Sequence, residues 1–478
     1  MEASGLTWPD IESFARMWSD ARAVTTLVGP SALATPAGSQ IARAVAQLHR
    51  ATGHWGGSGK SVFVLPRGAN VGGVLAAGVG PGRLPGSRRL TDGDHRAEVG
   101  STWGVDPGAL PSTSGMSCLE WPAAILADRI GALVAVGTNP AADLPAAEHW
   151  REALTRSFFI LGSSHAATES EPFADVVLPL ALVAGETQGT MISLDRRHQL
   201  LEQAVPPPGE ARTTSAVLLA LARAHLGDAR YERELGTFDR DPLATTEQAR
   251  RLLAGTPQDM SGITIDRLRV TLGICWPSVS PVDPGIDRFG PSTATRPRLA
   301  PDGTALPLPT VLSPAPFVPT PSPAVPSRDA QHPFLLVSGP MREHFRSRVR
   351  TGATPALHYQ APSPRIEMHP NDAAGLAVQD GDWVTLTSDT GELTAQLWLV
   401  DRCQPGTLFV PEHFGFWSDV QGGSDTMDAP EGLFYLVADD DVMSETGAPS
   451  GLIVPVAVKP ARRREMRRRA LKGSKSSG

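Results

Sequence analysis

Between Trp276 and Pro333 the sequence runs "PSVSPVDPGIDRFGPSTATRPRLAPDGTALPLPTVLSPAPFVPTPSPAVPS". Proline fixes φ and lacks an amide hydrogen, so a run this dense continues neither a helix nor a central strand. It divides the chain into two folding units joined by a semi-extended linker or surface-wrapping arm over 276–332. The length of 478 residues agrees, being too great for one ordinary core.

Ahead of the linker, in 1–275, short apolar stretches alternate with helical patterns. "AVTTLVG" (23–29) stops at Gly29-Pro30 and leads into "GSQIARAVAQLHRATG", where Ile41, Ala42, Val45, Ala46 and Leu48 recur at helical spacing. Similar strand signals follow in "IGALVAVG" (130–137), "SFFILGS" (157–163) and "ADVVLPLA" (174–181), the first two flanking a helical "PAAEHWREALTR". Apolar strands separated by helices predict a parallel sheet covered on both faces. Beyond the linker, in 333–460, strands are short and closely spaced, and "DWVTLTSDTGELTAQLWLV" alternates on both sides of an Asp-Thr-Gly turn, which predicts a hairpin in a small β-barrel.

Composition removes several classes. With 41% hydrophobic and 19% charged residues the chain is neither disordered nor fibrous. A net charge of −7 gives no general attraction to nucleic acid. The basic "ARRREMRRRALKGSKSSG" over 461–478 reads as a solvated, disordered tail; docking on an acidic partner, a membrane surface or RNA is the alternative. No apolar run approaches the ~20 residues of a spanning helix, and the acidic start "MEASGLTWPDIESF" lacks the order of a signal peptide. A cytoplasmic location is therefore expected, with membrane contact only indirect. Cys118, Cys275 and Cys403 lie far apart, which predicts no disulfide framework and no local zinc or iron–sulfur ligands.

"GHWGGSGKSVFV" (53–64) superficially suggests a phosphate-binding loop. Counting back from Gly59-Lys60-Ser61, however, puts His54 where the first glycine belongs. A helix also precedes this loop and a strand follows it, the reverse of the order that aims amides at a phosphate. Nucleotide hydrolysis is not expected. The glycines continue through Gly68, Gly72-Gly73 and Gly78, where backbone can approach a large flat ligand or another domain closely.

Several motifs, in order, resemble the molybdopterin oxidoreductases, especially the formate dehydrogenase and assimilatory nitrate reductase branch. "TGHWGGSGKSVFVLPRGANVGGVLAAGVGPGRLPG" is similar to that family's "TGNIGRPG…RGQNNVQG…LPG", and "IGALVAVGTNPAADLPAAEHWREAL" to its strand followed by Gly-x-Asn-Pro. "TESEPFADVVLPLALVAGETQGTMISLDRRHQLLEQAVPPPGEAR" resembles "TExxxxADVVLPxxxxxExxGTxxNxERRxQ…PPGEAR", and "EHFRSRVRTGATPAL" resembles "xHFHTRTKTGRxPxL". The segment from Ile366 to Trp417 resembles the family's C-terminal barrel. The likeness spans nearly everything outside the linker and the tail. It implies an α/β fold of Rossmann-like parallel-sheet domains followed by a C-terminal double-psi β-barrel.

The same resemblance implies a cofactor, molybdopterin guanine dinucleotide carrying molybdenum or tungsten, gripped at strand ends. Gly137 and Asn139 then end a strand where open sheets bind ligands, and Asn139 offers donor and acceptor to a purine or pterin edge. Gly68, Asn70 and Asp175 fall in matching motifs. Ser338 and Gly339 end the barrel's first strand, jointly lining the cofactor surface with Asn139. His344, Ser347, Arg348, Arg350 and Thr351 supply hydroxyls and cations for a pyrophosphate, and His413 matches a histidine placed near the pterin. Arg67 is the catalytic candidate, since the family's matching arginine orients a substrate carboxylate; here its motif is one residue shorter, with Ala69 for glutamine. Taken singly, Asn139 is equally a turn residue, Arg348 and Arg350 a solvated face, and His413 a core histidine.

The family's iron–sulfur domain and metal-ligating cysteine or selenocysteine have no counterpart in this sequence. The expected partner is therefore an N-terminal-half subunit carrying both, and the substrate a small anion such as formate or nitrate. Two rival readings stand beside this: a cofactor-free scaffold resembling the large iron–sulfur subunit of NADH–quinone oxidoreductase, and a non-enzymatic assembly protein.

Overall fold

The computed structural model describes residues 5–286 apart from 34, 36, 56–58, 81, 166–167, 184, 236–241 and 257, then 298–299, 305–306, 326–414, 433–437 and 453–461. Most of the proline-rich linker and all but the first residue of the basic tail lie outside these.

The chain opens with helix α1 (Trp8–Asp20), started by a capping box in which Thr7 and Asp10 exchange side-chain and backbone hydrogen bonds. Strand β1 (Thr25–Val28) then pairs in parallel with β2 (Ser61–Val64) through helix α2 (Gly38–Ala51). Within the glycine-rich loop, Lys60 Nζ donates to the Gly53 carbonyl at 3.1 Å. This lysine anchors its own loop.

After the short helix α3 (Val71–Ala76) comes a parallel sheet of β3 (Ala132–Val136), β4 (Phe158–Ser163) and β5 (Val176–Pro179). Helices α4 (Trp121–Leu126) and α5 (Ala147–Arg156) cover one side, where Leu133, Phe159 and Leu161 pack against Trp150, Leu154 and Trp121. The expectation of one sheet covered on both faces is corrected here in two ways. β1 and β2 form a sheet of their own. The second face of β3–β4–β5 is also open: the in-register row Val134, Ile160 and Val176 lies beside Phe158, with Val134, Phe158 and Val176 exposed by 46%, 50% and 38%. A chain that is apolar on both faces of a sheet needs two covers. Among the described residues it has one.

A small antiparallel sheet follows, β6 (Gly189–Ile192), β7 (Arg197–Leu201) and β8 (Ile274–Cys275). Helices α6 (Thr214–Leu226), α7 (Pro242–Arg251) and α8 (Ile265–Arg269) lie between β7 and β8 in sequence. Ile192, Leu253, Met260, Ile263, Leu268 and Ile274 form the core of this part.

The last unit is a closed six-stranded barrel, ordered β9 (Phe334–Gly339), β13 (Thr407–Pro411), β10 (Arg365–Met368), β12 (Glu392–Leu399), β11 (Trp383–Thr387) and β14 (Ile453–Pro460). Helix α9 (Pro355–Gln360) stands between β9 and β10. β9 with β13 and β10 with β12 run parallel; the other pairs are antiparallel. Closure leaves no free strand edge. Alternation sends Leu336, Ile366, Met368, Leu386, Leu393 and Val456 into an interior where each is nearly inaccessible. The Asp-Thr-Gly hairpin lies between β11 and β12, closed by Thr387 opposite Glu392.

Candidate functional site

The two units meet where the end of β3 faces the loop after β9. Gly137, at φ 66°, turns the chain out of β3, and a Cβ there would meet no atom within 4 Å. Two residues on, Asn139 is buried and spends its whole amide. Its Nδ2 donates to Glu169 and to Ser347 Oγ, the latter at 3.2 Å, and its Oδ1 accepts from Ser170 N and Oγ. Asn139 is thus the bolt between the α/β unit and the barrel. Ala146 N reaches Val437 O at 3.2 Å in the same seam.

The barrel side is a tight loop. Arg346 and Arg348 adopt left-handed φ of 47° and 65°, which costs about 1 kcal/mol each for a residue with a Cβ. The loop is held against that strain by its neighbours. His344 Nδ1 accepts from the Thr351 hydroxyl while Nε2 donates to Ala361 O. His413 Nδ1 donates to Arg346 O while Nε2 accepts from Met341 N. Both histidines are neutral rings used at both nitrogens, and burial pushes their pKa values down. Arg348 lies over Phe414, 4.5 Å from the ring centroid, and donates to Pro362 O.

Charge is concentrated at Glu169. Burial pushes its carboxyl up to about 7; the Asn139 hydrogen bond and the Arg348 charge oppose the rise and Asp143 adds to it. Burial also raises Asp143 and lowers Arg348 to about 10, with Glu169 working against that fall. Glu169 Oε2 takes the Asn139 amide, while Oε1 is buried and has no hydrogen-bond partner among the described residues. In the ionised form of Glu169 this oxygen is a buried acceptor.

The residues singled out from sequence fall into three groups. Asn139, Ser347, Arg348, His344, Thr351 and His413 come together at the seam, Arg348 buried and Arg350 exposed. Gly68 joins them from the α/β side, with Arg346 Nη2 3.5 Å from the position of its missing Cβ. Asn70, Asp175 and Ser338 are tied up within their own units: Asn70 Oδ1 accepts from Ile192 N, Asp175 Oδ2 from Phe159 N, and Ser338 Oγ donates to Val410 O. Arg67 pairs with Glu412 at 2.7 Å, and Gly339 O accepts from Glu412 N. Glu169, Asp143 and Glu412 were not singled out. The signal for Glu169 was the "TE" of the "TESEPFADVVLP" motif; Glu412 gives none, lying 345 residues from Arg67.

Two family models match the chain, Molybdopterin oxidoreductase over residues 13–224 and a Molydopterin dinucleotide binding domain over 334–448. The chain belongs to the molybdopterin oxidoreductase family. Its members similar to this chain include a nitrate reductase of Symbiobacterium thermophilum, 31% identical over 86% of this chain and 54% of that one. The assimilatory nitrate reductase catalytic subunit of Bacillus subtilis is 29% identical over 72% and 45% of the two chains. The F420-dependent formate dehydrogenase subunit alpha of Methanocaldococcus jannaschii is 28% identical over 79% and 51%. The chain thus spans about half the length of the curated relatives it matches. Acetylene hydratase from Pelobacter acetylenicus shares the fold, with a TM-score of 0.51, 16% identity and coverage of 77% and 50%.

A molybdopterin-type dinucleotide fits this seam at two points and not at others. The open backbone at Gly137 leaves room beside a strand end, and Glu169 Oε1 is an acceptor suited to the ring N–H groups of a guanine or pterin edge. Asn139, His344, Ser347 and His413 offer no spare hydrogen-bonding atom in the arrangement seen. Among the described residues no helix is long and apolar enough to cross a membrane, and no cluster of metal-ligating side chains occurs.

Proposed function

We propose that this chain supplies one dinucleotide site and the capping barrel of a molybdopterin oxidoreductase, completed by a partner polypeptide that carries the iron–sulfur cluster and the metal-ligating residue. When bound, the cofactor's metal would exchange two electrons with a small anion such as formate or nitrate. The observation that carries the proposal is the Asn139–Glu169–Ser347 seam, because it joins both matched domains and holds one buried acceptor without a donor.

Gly137 and Glu169 would hold the dinucleotide, with Arg348 setting the local charge. Arg67 would orient the substrate anion after release from Glu412. The partner reading is supported by the bare Val134, Phe158 and Val176 face and by relatives about twice as long. The occupant of that face would be the polypeptide equivalent to the unmatched half of the relatives.

A cofactor-free scaffold is favoured by one fact, that most polar atoms of the seam already satisfy one another. Purification of the tagged chain from its own host, followed by metal analysis and assay of released pterin, separates the two. Molybdenum or tungsten in proportion to the chain, with pterin, supports the proposal. A stable complex with neither overturns it in favour of the scaffold.

A further inference from the structure

Away from the seam, the unit built on β6, β7 and β8 contains a buried cation with no hydrogen bond or ion pair among the described residues. Arg250, near the end of α7, is 3% exposed, and none of its Nε, Nη1 and Nη2 atoms has a hydrogen-bond partner. A guanidinium presents five N–H donors, and leaving them buried and unpaired costs several kcal/mol. Burial lowers its pKa to about 10, so it remains charged at neutral pH. Glu247, one turn earlier, is the acid that acts on it, but its Oε1 accepts from Ile265 N at 3.0 Å and no ion pair joins the two.

A second buried nitrogen without a partner feels the Arg250 charge. His198 on β7 is 3% exposed, and its Nε2 lies 2.9 Å from Thr190 Oγ1 while Nδ1 has no partner. Burial and the Arg250 charge together push its pKa down to about 3, which keeps the ring neutral. If the Thr190 hydroxyl donates to Nε2, the proton sits on Nδ1. Trp276, packed against the core cluster that contains Leu253, adds another buried N–H without an acceptor. Among the described residues of this unit, Gln258 Oε1 is a buried acceptor without a partner, and a neutral amide oxygen does not offset a full charge.

We propose that this unit holds a small inorganic anion, a halide or an oxyanion the size of nitrate or sulfate, on the Arg250 guanidinium; in the tautomer protonated at Nδ1, His198 adds a further donor. The near-complete burial of Arg250 selects for a small ion over a nucleotide phosphate. The site is independent of the dinucleotide reading and holds whether or not that reading survives.

The test is thermal unfolding of the full chain at constant ionic strength, replacing gluconate with chloride, nitrate or sulfate. The expected result is a saturable rise in Tm of several degrees for at least one of these anions, lost in Arg250→Met and weakened in Arg250→Lys. Equal responses in wild type and Arg250→Met, or none in wild type, overturn the proposal. If Arg250→Met does not fold, a bromide-soaked crystal of the wild type decides. An anomalous peak within hydrogen-bonding reach of Arg250 supports the site; density elsewhere only contradicts it.

Discussion

Glu169 is where stability and pH meet in this molecule. Its carboxyl is raised to about 7 by burial, with Asp143 adding to the rise and Asn139 and Arg348 opposing it, against an unfolded value near 4.5. The folded state therefore binds the extra proton. The stability it contributes is fully present below about 4.5 and is lost as pH rises through about 7, on the order of 3 kcal/mol across that window. Glu169→Gln keeps the shape and removes the titration. Denaturant unfolding from pH 5 to 8 is expected to show wild type falling relative to Glu169→Gln; parallel curves would contradict the assignment. Asn139→Ala strips partners from Glu169, Ser170 and Ser347 at once, and an equilibrium loss of about 1–3 kcal/mol is expected, the cost of buried groups left unpaired.

At the scale of elements, the β3–β4–β5 sheet gives two opposite predictions. Trp150 on its covered side is 1% exposed and meets Trp121 edge-on with ring centroids 6.4 Å apart, so Trp150→Ala is expected to cost about 3–5 kcal/mol. Phe158 on the bare side is half exposed, so Phe158→Asp is expected to change the stability of the isolated chain by less than about 1 kcal/mol while weakening copurification with the proposed partner polypeptide. A large loss of intrinsic stability would mean that this face is already covered. The strands themselves were legible in sequence, because apolar runs bounded by Gly and Pro have few other uses and the alternation around Asp389-Thr390-Gly391 fixes a hairpin. The bare face was not legible. An apolar strand requires a cover but does not say whether its own chain provides it. Nor was the pairing of the histidines, whose partners Ala361 O, Arg346 O and Met341 N are backbone groups brought near only by the barrel loop.

Over the whole molecule, the described contacts that join the two units are of unequal weight. Arg67 and Glu412 bridge them visibly, yet the arginine side chain is 41% exposed, and such pairs are worth under about 1 kcal/mol. Glu412→Ala is accordingly expected to leave stability almost unchanged in a thermal melt, in contrast to Asn139→Ala. The buried polar seam, not the ion pair, sets how the barrel sits on the α/β unit, and its strand-end backbone and orphaned carboxylate oxygen are what a dinucleotide would use. The most direct measurement is the guanine nucleotide released by acid hydrolysis from the chain purified out of its host, compared between wild type and Glu169→Ala. Nucleotide released in proportion to wild-type chain and strongly reduced in the variant is the predicted result; equal release from both, or none from wild type, would contradict a seam built to hold the cofactor.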